Sequence, residues 1–283
     1  MNTLKTGILL TAMTALVVWL GQLMGGQAGM IMAFGIAILM NMGSYWFSDK
    51  IVLAATRAQP LTEAQSPELY RMVARLSERA GIPMPRLFLV PDPSPYAFAT
   101  GRDPKHGVVA VNQGLLEILD KPEVEGVIAH EIAHIKHRDT LTMAVVATLA
   151  GAVMVIAQIL RFSTFFLGGS DRDGENPLAL LAVSLIAPIA AIIIQLAVSR
   201  AREYEADATA AELIGTGRGL QSALLKLDRG AKRIPGRMPE NAAHMCIVNP
   251  LRSGLLRSLF STHPAVEDRV RKLEEREMAL RAA

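Results

Sequence analysis

Residues 126–140 read GVIAHEIAHIKHRDT, and within them His130, Glu131 and His134 form the pattern H-E-x-x-H. On a helix, residues four apart are neighbours on one face, so both imidazoles can reach one zinc ion while Glu131 reaches a water on it. Zinc lowers the pKa of water to ~7, and a glutamate beside it takes the proton as the water attacks a polarised peptide carbonyl. That is hydrolytic chemistry, with one zinc per chain. Five-residue patterns also arise by chance on solvated helices. Here Val124, Val127, Ile128, Ile132 and Ile135 flank the pattern, and two histidines with a glutamate are costly to bury in such company without a metal or other partners.

His137 lies seven residues beyond His130, on nearly the same face. Helix rise of ~1.5 Å per residue puts the two ~10 Å apart along the axis, against metal–nitrogen bonds of ~2 Å. No glycine intervenes to bend the chain, so His137 reads as a packing or interface histidine. A third ligand must come from elsewhere, and the stretch SRAREYEADATAAE at 199–212 offers acids. Glu203 and Asp207 share a helix face, while Glu205 points to nearly the opposite side. That spacing suits one ligand plus one acid that fixes a histidine ring from behind; a salt-bridged surface helix is the alternative.

What positions these residues is read from the rest of the chain. Of 283 residues 51% are hydrophobic, and the mean hydropathy is +0.30, a balance typical of membrane proteins rather than soluble enzymes. No charged side chain occurs between Thr6 and Ser48, a length sufficient for two crossings at ~20 residues each. A cleaved leader is the alternative for the first run. The second apolar stretch at 30–47 favours a helical hairpin turned at the glycine-rich 21–29 segment. Two further uncharged runs, 140–160 and 176–199, are each long enough to cross once. The histidines precede the first of these and Glu203 follows the second, so two antiparallel spans return the chain to the same membrane face.

The expected organisation is therefore a transmembrane hairpin at 1–48, a first part of the catalytic domain at 49–139, a second transmembrane or re-entrant hairpin at 140–199, and a second part of the domain at 200–283. Lys and Arg concentrate at 49–139 and beyond residue 200, which places both termini and the catalytic domain of this multi-pass protein in the cytoplasm. The pI near 9.1 is then accounted for by topology and phospholipid headgroups, and no aromatic-plus-basic pattern points to nucleic acid. Cys246 stands alone, so it forms no disulfide within the chain, in keeping with a reducing compartment.

Within the domain, Leu69, Met72, Val73 and Leu76 have helical spacing, ended by Gly81 and Pro83. Residues 87–90 and 108–111 are β-prone and predict a small sheet. Residues 112–119 predict a short helix, and Asp120, Pro122 and Glu123 give the H-E-x-x-H helix its start. Helices are expected over 199–214 and 220–227 and from Pro264 onward, with a loop at 231–240. The fold class expected is a mostly α membrane protein with four apolar segments and a zincin-like α+β domain.

Several segments together resemble the HtpX-type membrane zinc endopeptidases, relatives of the CaaX prenyl endopeptidases. They are AFATG at 97–101, AVNQGLL at 110–116, HEIAH at 130–134, S-R-x-x-E-x-x-A-D at 199–207, IVNPL at 247–251 and LFSTHP at 259–264. The resemblance implies that Glu203 is the third zinc ligand and that Asp207 stands behind the metal. It also implies a stress-response protease acting on damaged or misassembled membrane proteins, with polypeptides and the lipid bilayer as partners. Where the family has Asn before AFATG, this chain has Tyr96, which puts that position's part in substrate handling in question. The 97–101 segment is expected at a sheet edge beside the cleft, where an extended peptide can add by main-chain hydrogen bonds, or else as a core strand. His263 is a candidate donor to the oxyanion, or alternatively caps the helix that Pro264 opens. Two other functions compete. Cleavage within the bilayer conflicts with Lys121, Glu123, Glu125, Lys136 and Arg138 flanking the motif, and a non-catalytic zinc-stabilised scaffold leaves Glu131 without a task.

Overall fold

A computed structural model describes residues 2–143, 200–233, 246–247 and 264–282. The apolar start is helical over Asn2–Ala55 (α1). It is not straight: Gly26 takes φ +57°, and the Asn41 amide donates to Thr14 Oγ1 at 2.7 Å across 27 positions. A continuous helix would part those residues by ~40 Å. The chain therefore doubles back at Gly26, where a residue lacking Cβ adopts the left-handed region freely. The stretch Gly26–Phe47 is long and apolar enough to cross a membrane, and it exposes Ile31, Met32, Leu39 and Met42. Among the described residues it is the one helix that meets that test; the expected runs at 140–160 and 176–199 lie outside them apart from 140–143.

Strand β1 (Gln59–Pro60) leads to α2 (Pro67–Ala80), which buries Leu69, Met72, Val73 and Leu76 and stops at Gly81 in the left-handed region. Strands β2 (Arg86–Val90), β3 (Ala97–Thr100) and β4 (Val108–Asn112) complete a sheet of order β1-β2-β4-β3. β2 and β4 run parallel, and the two outer pairings are antiparallel. Strand periodicity sorts the side chains. Leu87, Ala97, Ala99, Val109 and Val111 enter the main core with the helices. Phe88, Val90, Tyr96, Phe98, Val108 and Ala110 form a second core on the other face, together with Val52 and Leu53 from the end of α1.

Helix α3 (Gln113–Ile118) precedes α4 (Lys121–Lys136), the centre of the domain. The start signals expected of Asp120 and Glu123 form a reciprocal capping box: the Glu123 amide donates to Asp120, and the Asp120 amide to Glu123 at 2.9 Å. Glu123 also accepts from Ser222 Oγ at 2.5 Å and Lys226 Nζ at 2.7 Å on α6 (Arg218–Arg233). Around α4 pack α2, α5 (Arg200–Ile214), α6 and β3, so it is apolar on most sides. α7 (Val266–Ala282) closes the bundle against α5 and α6. The crossing of α4 and α6 depends on Gly126, where an added Cβ would stand 2.5 Å from the Leu220 nitrogen.

Two outcomes follow from this frame. Alanine at Gly126 gains ~1 kcal/mol of helix propensity, but the clash with backbone outweighs it, and a net loss of ~1–3 kcal/mol is expected. An unchanged or raised unfolding midpoint in that variant would contradict the close crossing. Burial raises the Glu123 carboxyl, but Lys226 and Ser222 outweigh it and hold its pKa below the ordinary value. Its contribution is thus complete above the unfolded-state carboxylate pKa and is lost as pH falls through the lower folded value. Glu123→Gln should flatten the acid limb of a stability-against-pH curve.

Candidate metal centre

Helical spacing along α4 brings His130 and His134 onto one face, their rings edge to face with centroids 4.6 Å apart. Their Nε2 atoms lie 3.1 Å from one another. The Glu203 carboxylate enters from α5, with oxygens 3.7 Å from His130 Nε2 and 3.6 Å from His134 Nε2. Metal–nitrogen and metal–oxygen bonds of ~2.0–2.2 Å in a tetrahedron give ligand-to-ligand edges of ~3.3–3.6 Å. Three buried donors, 3.1–3.7 Å apart, thus converge closely enough to hold one metal ion.

Both rings are aimed from behind. His130 Nδ1 lies 2.9 Å from Asp207 Oδ1, and His134 Nδ1 lies 3.2 Å from Asp139 Oδ2. A carboxylate on Nδ1 keeps the proton there and turns the Nε2 lone pair toward the metal position. Asp207 is itself gripped by Arg269, whose Nε and Nη2 donate to the two carboxylate oxygens at 2.8 and 2.7 Å. Arg269 Nη1 donates to the Ile247 carbonyl at 2.6 Å and stands 3.7 Å from Glu203. Asp139 reaches back because Arg138, just past the end of α4, takes φ +61°. That conformation is costly for a residue with a Cβ. Arg202 Nη1 faces the other Asp139 oxygen at 3.5 Å.

The electrostatics fit a cation. Glu131, Asp139, Glu203 and Asp207 are buried beside two guanidiniums, Arg202 and Arg269, which leaves two negative charges in excess when all are ionised. A divalent metal balances them. Burial lowers His134, yet the bond to Asp139 and the charges of Glu203 and Glu131 overcome it and raise the imidazole to about 9, a proton that a metal ion on Nε2 would displace. Burial wins at His130, down to about 4. It also lifts Glu131 to about 7, while the Ala99 backbone amide on β3 favours the ionised form. Burial would raise Asp207, but Arg269 keeps it low.

The structure gathers His130, Glu131, His134, Glu203 and Asp207 in one place. Glu205 is exposed on the far side of α5. His137 is half-buried, with its Nε2 3.5 Å from Thr209 Oγ1. Tyr96 is buried in the second core next to Asn112 and Ser94, and burial pushes its hydroxyl up to about 12. His263 lies outside the described residues. Sequence reasoning missed Asp139 and Arg269. Asp139 carries no signal, because the turn that delivers it is made at an arginine. Arg269 does carry one: it stands four residues before Leu273 on the buried face of α7.

An H-E-x-x-H helix beside a small mixed sheet, closed by an acid from a second helix, defines a metalloprotease. The sequence pattern of peptidase family M48 matches residues 63–277, and the chain belongs to that family. A "Protease HtpX homolog" of Syntrophobacter fumaroxidans is 50% identical over 274 residues, covering 95% of this chain and 97% of that protein. Another of the same description from Pyrococcus furiosus is 51% identical over 273 residues, covering 96% and 94%. Among solved structures, that of Ste24p from S. mikatae superposes with a TM-score of 0.50 at 19% identity; the match covers 95% of this chain and 62% of that one, a likeness of fold.

Asp139→Asn removes the charge behind His134 while keeping its size, and loss of such a partner typically weakens metal affinity ~10–100-fold. Titration of the metal-free protein against a chromogenic chelator should record that loss. Wild-type affinity in the variant would mean that Asp139 has no hold on the ring.

Proposed function

We propose that the chain is a membrane-anchored zinc endopeptidase that hydrolyses internal peptide bonds of misfolded or damaged membrane proteins at the cytoplasmic face. The observation that carries the reading is the convergence of His130 Nε2, His134 Nε2 and the Glu203 carboxylate, with Glu131 on the same helix. Those three would hold the zinc, which when bound acidifies water and polarises a carbonyl. Glu131 is buried, and its Oε1 has no hydrogen-bond partner among the described residues. A carboxylate near pKa 7 suits a general base. Glu131 accepts the proton of the attacking water and returns it to the leaving amine. Asp207 and Asp139 hold the rings in register through that exchange.

Substrate entry is assigned to β3, the outermost strand of the sheet, beside α4. Its four residues are buried, so a substrate reaches it only once that edge is uncovered. An extended polypeptide adding to that edge binds through its main chain, which suits unfolded substrates of varied sequence. His263, three residues before α7, is proposed as an oxyanion donor. The apolar hairpin of α1 anchors the enzyme, with both termini and the domain cytoplasmic by the placement of Lys and Arg. Cleavage inside the bilayer is disfavoured, since α4 is enclosed by helices and sheet and carries Lys121, Glu125 and Lys136.

The full chain, purified in detergent with zinc, should digest casein and itself, and a chelator should stop both. Glu131→Gln is expected to lower the rate by ~10²–10⁴ while retaining zinc. Glu203→Ala should lose stoichiometric zinc. Undiminished hydrolysis by the glutamine variant would sink the catalytic assignment, and full zinc in the alanine variant would move the third ligand elsewhere.

A further inference from the structure

A cleft of about 560 Å³ opens where α1 leaves its apolar stretch, lined by Trp46, Lys50, Arg86, Arg102, Lys105 and Gly107 among others. It lies apart from the metal centre, and its volume falls within the ~300–1,000 Å³ of small-ligand sites. Four basic side chains turn into it, one from the hairpin and three from the sheet and the turn Pro104–His106 with its approach. The opposing charge is less. Asp49 pairs with Arg86 at 2.7 Å, and Asp103 lies 3.7 Å from Arg102. Among the described residues, no carboxylate stands within ion-pair distance of Lys50 or Lys105.

Arg102 and Lys50 have further contacts that hold them in place. His106 Nδ1–H donates to Asp103 at 2.8 Å, and its Nε2 accepts from the Arg102 guanidinium. Arg102 in turn lies over the Trp46 ring at 4.8 Å, and Lys50 over Phe47 at 5.4 Å. Ordinary solvated lysines and arginines splay apart to lower their repulsion; these converge on one concavity. The rest of the wall combines the apolar Trp46, Phe47 and Met84 with Asp49 and His106. Trp46 and Phe47 are each about half exposed on the adjoining helix face, and aromatic residues at the end of an apolar span mark the level of lipid headgroups.

We propose that this cleft takes the headgroup of an anionic phospholipid, its phosphate between Arg86, Arg102 and Lys105 and its acyl chains along the exposed face of α1. The assignment rests on the membrane reading of α1. Guanidinium forks and ammonium groups match a phosphodiester. A soluble phosphate would use the basic wall alone and leave the aromatic wall bare, which favours the lipid. The turn that carries Arg102 and Lys105 joins β3 to β4, and its first residue, Gly101, is fastened by Thr140 Oγ1 donating to its carbonyl at 2.9 Å. A bound headgroup therefore braces the strand beside the metal centre.

The test uses the full chain bearing Glu131→Gln to prevent self-digestion, titrated in native mass spectrometry with phosphatidylglycerol, with phosphatidylcholine of the same chains, and with inorganic phosphate. Phosphatidylglycerol should bind about tenfold more tightly than phosphatidylcholine, and Arg86→Gln/Arg102→Gln/Lys105→Gln should reduce the preference to within about twofold. Lys50→Gln/Lys105→Gln, which breaks no ion pair among the described residues, should lose severalfold at an unchanged unfolding midpoint. Equal binding of the two lipids, or a preference that survives both sets of substitutions, overturns the proposal. So does inorganic phosphate that binds as tightly as the lipid. Carbonate-washed membranes separate the two readings: a chain retained in the pellet but indifferent to headgroup refutes the cleft alone, whereas a chain released by carbonate refutes the anchorage and the cleft with it.

Discussion

Two imidazoles, four carboxylates and two guanidiniums are buried around the last turns of α4, and the architecture answers to the cost of keeping them there. Each isolated charge in an apolar interior is unfavourable by several kcal/mol. Pairing reduces that cost only where geometry is fixed, as in the two-point grip of Arg269 on Asp207. α4 is accordingly held with little freedom: a capping box at its start, Glu123 tied to α6, and Gly126 letting the α6 backbone approach to contact. Arg269 shows how far the arrangement reaches. A residue late in the chain completes a cluster begun by His130, so α7 docks through charge as well as through Leu273.

The sheet contributes differently. Because strand side chains alternate, β3 and β4 can pack Ala97, Ala99, Val109 and Val111 against α4 while Phe98, Val108 and Ala110 bind the end of α1. Small residues on the α4 side allow β3 to lie close to the helix. The same strand thus meets α4 with one face and the hairpin with the other.

Much of this was legible because local rules and the tertiary structure agree. The capping residues of α4, the glycine stop of α2, the β-prone runs and the reversal at Gly26 each follow from residue types acting over a few positions. His130, His134 and Glu131 were legible for the same reason, since helix geometry alone relates them. Relating Glu203 to the histidines required topology, and choosing it over Asp207 required resemblance, because both acids share a face. Asp139 escaped altogether. Its delivery depends on a left-handed turn at Arg138, a conformation that sequence assigns to glycine or asparagine and that only the surrounding bonds sustain here. Arg269 was overlooked among the many charges of α7, where a stripe of apolar neighbours was the available clue.

The hairpin is joined to the domain without a flexible linker. α1 stays helical to Ala55, and its last turns bury Val52 and Leu53 in the core beneath β3 and β4, with Met143 and Cys246 alongside. Asp49 adds an ion pair to Arg86 on β2. A helix fused in this way fixes the angle between the apolar hairpin and the sheet. A long tether would let the domain sample many heights and tilts above a surface; a shared core admits one. The apolar hairpin and the outer strand β3 are thus two sides of one packed layer.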